Sequence, residues 1–306
     1  MNSKKQLKVA GLGEVLWDCF PDAKQLGGAP TNFARHVNQL GIEGYPVSCV
    51  GTDEIGAAAK EELVASGVKV DYLYEHPTLR TGTVQVTLDE NAKPSYQICQ
   101  NVAWDSIPCS NELLAFAKEL DAVCFGTLSQ RSSVSRQTIR KFMQTVPDDA
   151  LKVLDVNLRE PFFSEQIVTD SIECANVLKL SDEELSVLAK YYDLQGDETQ
   201  QLQQLVRKFQ LRLVACTKGA DGSVLVTPDQ VNVAKATPVK AIDSVGAGDS
   251  FNAAICTGLL HGFSLSDCNR FANQVAAYVC SHQGACPRLP DELRTIPQTY
   301  ISSEPS

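Results

Sequence analysis

The chain has 306 residues, 43% hydrophobic and 21% charged, values that suit a folded protein and exclude disorder, collagen and coiled coil. Lys and Arg number 27 against 37 Asp and Glu, a net charge of −10 that repels phosphate backbones and argues against general nucleic-acid binding. It leaves room for a small anion held in a local site.

Strands and helices alternate along the chain. The patterning predicts a strand over 8–14, a helix over 31–40, a strand over 47–50 and helices over 57–66 and 111–119. It then predicts a strand over 122–126, a helix over 134–145, and strands over 152–157, 176–180 and 213–217. Runs such as AVCF and RLVAC are apolar without a break, as in parallel strands covered on both faces. The alternation predicts a doubly wound α/β domain. Residues 80–88 (RTGTVQVTL) break it, with Val84, Val86 and Leu88 on one face and Thr83, Gln85 and Thr87 on the other. With 95–99 they form an expected half-buried antiparallel hairpin, which needs a cleft or a second subunit to cover. A homodimer through this element is therefore expected.

No stretch approaches the ~20 apolar residues of a membrane span. The polar start MNSKKQLK runs straight into VAGLGEVL, so no leader is expected and the expected location is the cytoplasm. Eleven cysteines form no C-x-x-C pair, and they are expected to be free thiols in a reducing compartment.

The segment that points most clearly to chemistry is AIDSVGAGDSFNAA, residues 241–254. Gly246, Ala247 and Gly248 open a helix, and their backbone N–H groups at the positive end of its dipole make an anion site. Asp249 follows in the first turn. It is either a helix cap or a general base that accepts a hydroxyl proton while the N–H groups hold a phosphoryl group. In QLGGAPTNFA, residues 25–34, Gly27 and Gly28 permit close approach of a ligand or simply make a tight turn. Thr31 is placed to cap the next helix, and Asn32 offers a donor and an acceptor to a polyol. Asp18 is a carboxylate for two sugar hydroxyls or a loop residue. Asp155, Asn157 and Arg159 sit at a strand's C-terminal end, where α/β sheets bind ligands. Glu184 either caps a helix with Ser181 or holds Mg²⁺ through water. TKGADG, residues 217–222, is a Gly-rich turn or an ordinary hairpin. There is no G-K dipeptide, no dinucleotide fingerprint, no G-x-S-x-G and no H-E-x-x-H, and the four histidines are scattered.

Together these motifs resemble the PfkB carbohydrate kinases of the ribokinase-like superfamily, over nearly the whole chain. The GG pair with Asn32 is similar to that family's first signature, and IDSVGAGDSF to its second; DVNLR and TKGADG fall between them in the family's order. The resemblance implies a three-layer α/β/α sandwich with a mostly parallel sheet, a single domain spanning 1–306, and a small β lid formed by about 14–26 and 80–102. It implies Asp249 as catalytic base and Gly246, Ala247 and Gly248 as the anion hole. The sugar would lie near Asp18, Gly28 and Asn32, and ATP near Lys179, Thr217, Gly219, Gly222 and Asn273. It further implies Mg²⁺ with Glu184 nearby, and K⁺ near Asp243, Val245 and Gly284. Ser244 stands where the family usually has Thr, and Ser181 where many members have Asn. GGAPTNFA, FGTLSQR and NVAWDSI look most like fructokinases. Arg80 and Arg131 are the basic groups that would serve a phosphorylated sugar.

Overall fold

Apolar runs buried on both faces build the centre of the protein. In the computed structural model, residues 6–88 and 94–294 are described. The chain enters through β1 (Lys8–Leu12), β2 (Leu16–Cys19), β3 (Lys24–Gly27) and α1 (Ala29–Gln39). β4 (Glu43–Gly51), α2 (Glu54–Ala65), β5 (Leu73–His76), β6 (Gly82–Leu88) and β7 (Pro94–Ile98) follow. Alternation resumes with α3 (Asn111–Ala117), β8 (Ala122–Gly126), α4 (Ser133–Thr145), β9 (Leu151–Asp155), α5 (Glu165–Glu173) and β10 (Val177–Ser181). Then come α6 (Asp182–Tyr192), α7 (Glu198–Phe209), β11 (Leu213–Thr217), β12 (Ser223–Val226), β13 (Val231–Ala234), α8 (Ala247–Leu260), α9 (Leu265–Cys280) and α10 (Asp291–Arg294).

The large sheet has the order β13-β12-β11-β10-β9-β8-β1-β4-β5, parallel except at β12 and β13. Alternate residues feed two cores. Val123 and Phe125 face Phe116, Ile139, Phe142 and Leu188 on one side. Ala122 and Cys124 face Phe33, Phe251, Ile255 and Phe271 on the other. This is a three-layer α/β/α sandwich. β1 lies between β4 and β8, so the strand order reverses there and a crevice opens beyond the strand ends.

The second sheet, β3-β2-β6-β7, is antiparallel at β2–β3 and β6–β7 and parallel at β2–β6. Leu16, Val84 and Val86 form its own buried cluster; the Leu88 and Thr87 side chains lie outside the described residues. Its other face turns Gln85 and Gln97 to solvent. Helix starts differ from the sequence expectation for local reasons. α2 begins earlier because the Asp53 carboxylate accepts the Gly56 N–H. Thr31 does not cap α1: Gly28 occupies that position, and the Thr31 hydroxyl donates to the Glu14 carbonyl at 2.8 Å.

Arg131 ties the turn after β8 to the segment after β7. Its Nε and Nη2 donate to both Asp105 oxygens at 2.8 and 2.9 Å, Nη2 also donates to the Cys99 carbonyl, and the guanidinium stacks on Trp104. Arg131 is thus spent on structure and is not the free phosphate partner that the sequence offers. Both side chains of the pair are nearly inaccessible, so removing one strands a buried charge. Arg131→Met is expected to cost about 3 kcal/mol in urea denaturation; a cost below about 1 kcal/mol would show that the pair is not the clamp described.

Candidate active site

The crevice is a cleft of about 580 Å³ between the large sheet's strand ends and the small sheet. Leu16, Phe20, Val84 and Ile98 give it an apolar wall from the small sheet, while Glu14, Asp18, Asn32, Asp155, Asn157, Arg159, Lys179 and Asp249 give it polar groups.

Strand register sets the floor. Asp155 and Lys179 are direct partners across β9 and β10, so Lys179 Nζ meets Asp155 Oδ1 at 3.0 Å. The other Asp155 oxygen accepts from Asn252 on α8 at 2.9 Å. Burial pulls the Lys179 pKa down, but the charges of Asp155, Glu184 and Asp249 outweigh it and hold the ammonium above its usual range. This pair sits under the N-terminus of α8. Gly248 leaves room for the Lys179 ammonium, since a Cβ there would stand 3.0 Å from Lys179 Nζ, tight enough that the ammonium would have to shift.

α8 begins without a side-chain cap. Gly246 takes its N-cap place with φ 78°, and a Cβ at that position would lie 2.2 Å from the Ala285 carbonyl oxygen. The N–H groups of Gly246, Gly248 and Asp249 find no acceptor among the described residues, while that of Ala247 turns back to Ser244 at 3.3 Å. These donors lie at the positive end of a 14-residue helix, an arrangement able to receive an anion. Asp249 is not a cap. Its Oδ2 accepts from Asn32 Nδ2 at 2.8 Å, across the junction where the first turns of α1 and α8 meet. Burial, reinforced by the negative charge of Asp155, pushes its pKa up to about 7, against the lowering effects of the Asn32 hydrogen bond and Lys179.

Asp18, on β2, faces the same cleft. Burial raises its pKa to about 6, with Arg159 opposing. Gly27 makes room for it, because a Cβ there would lie 2.6 Å from Asp18 Oδ2. Gly28 also lines the cleft, at φ 105°.

The cleft therefore gathers Asp249, Gly246, Gly248, Asp18, Gly28, Asn32, Val245 and Lys179. Thr217, Gly219, Gly222 and Asn273 lie outside its lining. Thr217 ends β11, Gly219 is open at φ 53°, and Gly222 at φ 97° lets the turn pass against the Ala234 carbonyl. The Asn273 amide donates inward to Ser223 Oγ and Asn269 O, in a buried network joining α9 to β12. Glu184 forms a capping box with Ser181, and its second oxygen accepts the Leu158 N–H at 2.8 Å. Asp243 gathers its loop: one oxygen accepts the Val245 N–H and the other the Gly284 N–H, both at 3.0 Å. No group of three His, Cys, Asp or Glu among the described residues would hold a metal.

Sequence reasoning passed over Glu14. It is 3% exposed, lines the cleft, and bonds Ser129 and Ala29. Those partners come from distant segments, so no local pattern marks it.

The fold and cleft place free helix N–H groups beside a buried carboxyl at the strand ends of a parallel sheet, where α/β proteins bind ligands. The pfkB family carbohydrate kinase model matches residues 9–292, and the chain belongs to that family as a sugar kinase. An uncharacterized sugar kinase of Pyrococcus horikoshii is 31% identical, over 93% of this chain and 94% of its own. A fructokinase of Escherichia coli is 29% identical, over 82% and 84%. A Vibrio cholerae fructokinase, solved with fructose, ADP and potassium ion, superposes with a TM-score of 0.81 at 25% identity, covering 98% of this chain and all of that one.

The carboxyl of Asp249 is expected to titrate near pH 7 in ¹³C NMR, and Asn32→Leu to move that titration upward, because the lost hydrogen bond favoured the ionised form. A midpoint near 4 in the wild type would contradict the geometry's reading.

Proposed function

We propose that the protein transfers the γ-phosphoryl group of ATP to a hydroxyl of an unphosphorylated sugar, with D-fructose giving D-fructose 6-phosphate as the favoured reaction. The observation that carries this is the Asp249 carboxyl, poised near neutral pH and held by Asn32 beside free helix N–H groups. A base with a pKa near the working pH is the efficient proton acceptor. Asp249 takes the proton of the sugar's 6-hydroxyl as that oxygen attacks. The N–H groups of Gly246, Gly248 and Asp249, but not that of Ala247, which is taken by Ser244, meet charge on the phosphoryl oxygens, and Lys179 adds a fixed positive field beneath them. Asp18, Gly28 and Asn32 hold the sugar's other hydroxyls, and the apolar wall of the small sheet, acting as a lid, excludes water. The fructokinase relatives support the choice of fructose.

ATP is placed along the β10–β11 edge, by Thr217, Gly219 and Gly222, with Asn273 supporting that edge from behind. The donor set fits a Mg²⁺ brought in on the nucleotide's phosphates rather than a protein cage. Glu184, whose oxygens each already accept one N–H, would reach it through water. When bound, Mg²⁺ neutralises phosphate charge. K⁺ is placed at the loop of Asp243, Val245 and Gly284, which the Asp243 carboxylate holds in shape through the Val245 and Gly284 N–H groups. Eleven free cysteines suit a reducing cytoplasm.

The cleft's charge argues against a sugar phosphate. Glu14, Asp18, Asp155 and Asp249 line it, Lys179 is paired with Asp155, and Arg159 alone remains as a second cation in the lining. Arg80 and Arg131 are absent from that lining. Ribose, 2-keto-3-deoxygluconate and nucleosides are the competing acceptors, and a sugar or nucleotide sensor without turnover is the competing role.

A coupled ADP-release assay over fructose, ribose, 2-keto-3-deoxygluconate, adenosine and tagatose-6-phosphate tests the reading. Fructose is expected to give the highest kcat/KM, and Asp18→Ala to raise the sugar KM by more than about tenfold while the ATP KM changes little. No ADP release with any acceptor would favour the sensor, and equal effects on both KM values would remove Asp18 from the sugar site.

A further inference from the structure

Glu14 stands just beyond the C-terminal end of β1, at the strand-order reversal, and its two carboxylate oxygens hold two different elements. Oε1 accepts the N–H of Ala29, the first residue of α1, at 3.3 Å. Oε2 accepts the hydroxyl proton of Ser129, in the turn after β8, at 2.5 Å. Its carbonyl oxygen accepts from Thr31 at 2.8 Å. The chain passes so close over Glu14 that a Cβ on Gly28 would lie 2.2 Å from that carbonyl. α1 has no side-chain cap of its own, so its first turn is anchored from outside, by a carboxylate placed where the helix dipole favours negative charge. Asn32 lies in that turn, its N–H bonded to Gly28 O at 2.8 Å, and its amide reaches Asp249.

We propose that Glu14 is a positioning residue: it clamps the first turn of α1 between β1 and the β8 turn, and so sets the reach of Asn32 to Asp249. This rests on the reading of Asp249 as the base. A buried carboxylate with only two donors is costly to keep for stability alone. Its two bonds fix the one helix turn on which the Asn32–Asp249 contact depends, and small displacements of a reacting group are expensive in rate.

The test is a double-mutant cycle at saturating fructose and ATP, with melting temperatures recorded alongside. Asn32→Ala and Glu14→Ala should each lower kcat roughly ten- to a hundredfold with the ATP KM little changed. The double variant should stay within about threefold of Asn32→Ala alone. Glu14→Gln should recover most of the loss, since its amide can accept from Ala29 and donate to Ser129. Should Glu14→Ala not fold, Ser129→Ala removes one arm and is expected to lower kcat in the wild-type background but not in the Asn32→Ala background. Losses that multiply in the double variant, a Glu14→Ala effect on melting temperature alone, or a Glu14→Gln variant no better than Glu14→Ala would overturn the proposal. A readout without substrate separates it from the functional reading. The Asn32 side-chain amide resonances should follow the Asp249 titration in wild type and Glu14→Gln, and cease to do so in Glu14→Ala. Persistence of that coupling in Glu14→Ala overturns the clamp, whether or not the protein phosphorylates fructose.

Discussion

The hydrogen bond from Asn32 to Asp249 joins residues 217 positions apart and fixes where two helix N-termini meet. Much of the cleft follows from that meeting. α1 and α8 pack side by side on one face of the sheet, with Phe33, Val37, Phe251 and Ile255 in one buried cluster. Their first turns are thereby delivered to the crevice beside β1. One turn supplies an amide, the other a carboxyl and unpaired N–H groups. The contact works in both directions, since Asn32 also tempers the rise in the Asp249 pKa that burial and Asp155 impose.

The same junction explains how an acidic protein would handle a phosphorylated nucleotide. A net charge of −10 sets the far field. Near the site, attraction for an anion comes from backbone dipoles that carry no net charge, and from Lys179, whose own charge is balanced by Asp155. The balance is local and geometric. It depends on the register of β9 and β10, which sets Lys179 beside Asp155. Acidic groups among the cleft's lining set a local field that disfavours a second anion.

Contiguous features were the legible ones in the sequence. The run from Asp243 to Asp249 announces a helix N-terminus with an acid in its first turn, because every part of that signal is local. Asp18 and Asn32 were readable as polar groups in apolar or glycine-rich surroundings. The hairpin over 80–99 was readable from its alternation, whereas its joining with a strand from 14–26 followed only from the family resemblance, since nothing in 16–19 by itself specifies which strand it joins. Relations between distant segments were hidden. The pairing of Lys179 with Asp155 is decided by register. The Asn273 amide is absorbed by Ser223 and Asn269, which only the packing of α9 on β12 reveals. Arg131 looked like a spare cation until Asp105 and Cys99 came to it in space. Glu14 was silent for the same reason.

The central claim is that Asp249 removes the hydroxyl proton while the α8 N-terminus holds the phosphoryl group. Asp249→Asn keeps the shape and the anion site but cannot accept the proton, so turnover of fructose with ATP measures the claim directly. The account predicts a kcat at least about a hundredfold lower with ATP affinity within a few-fold of wild type. A variant that retains near-normal kcat would contradict it.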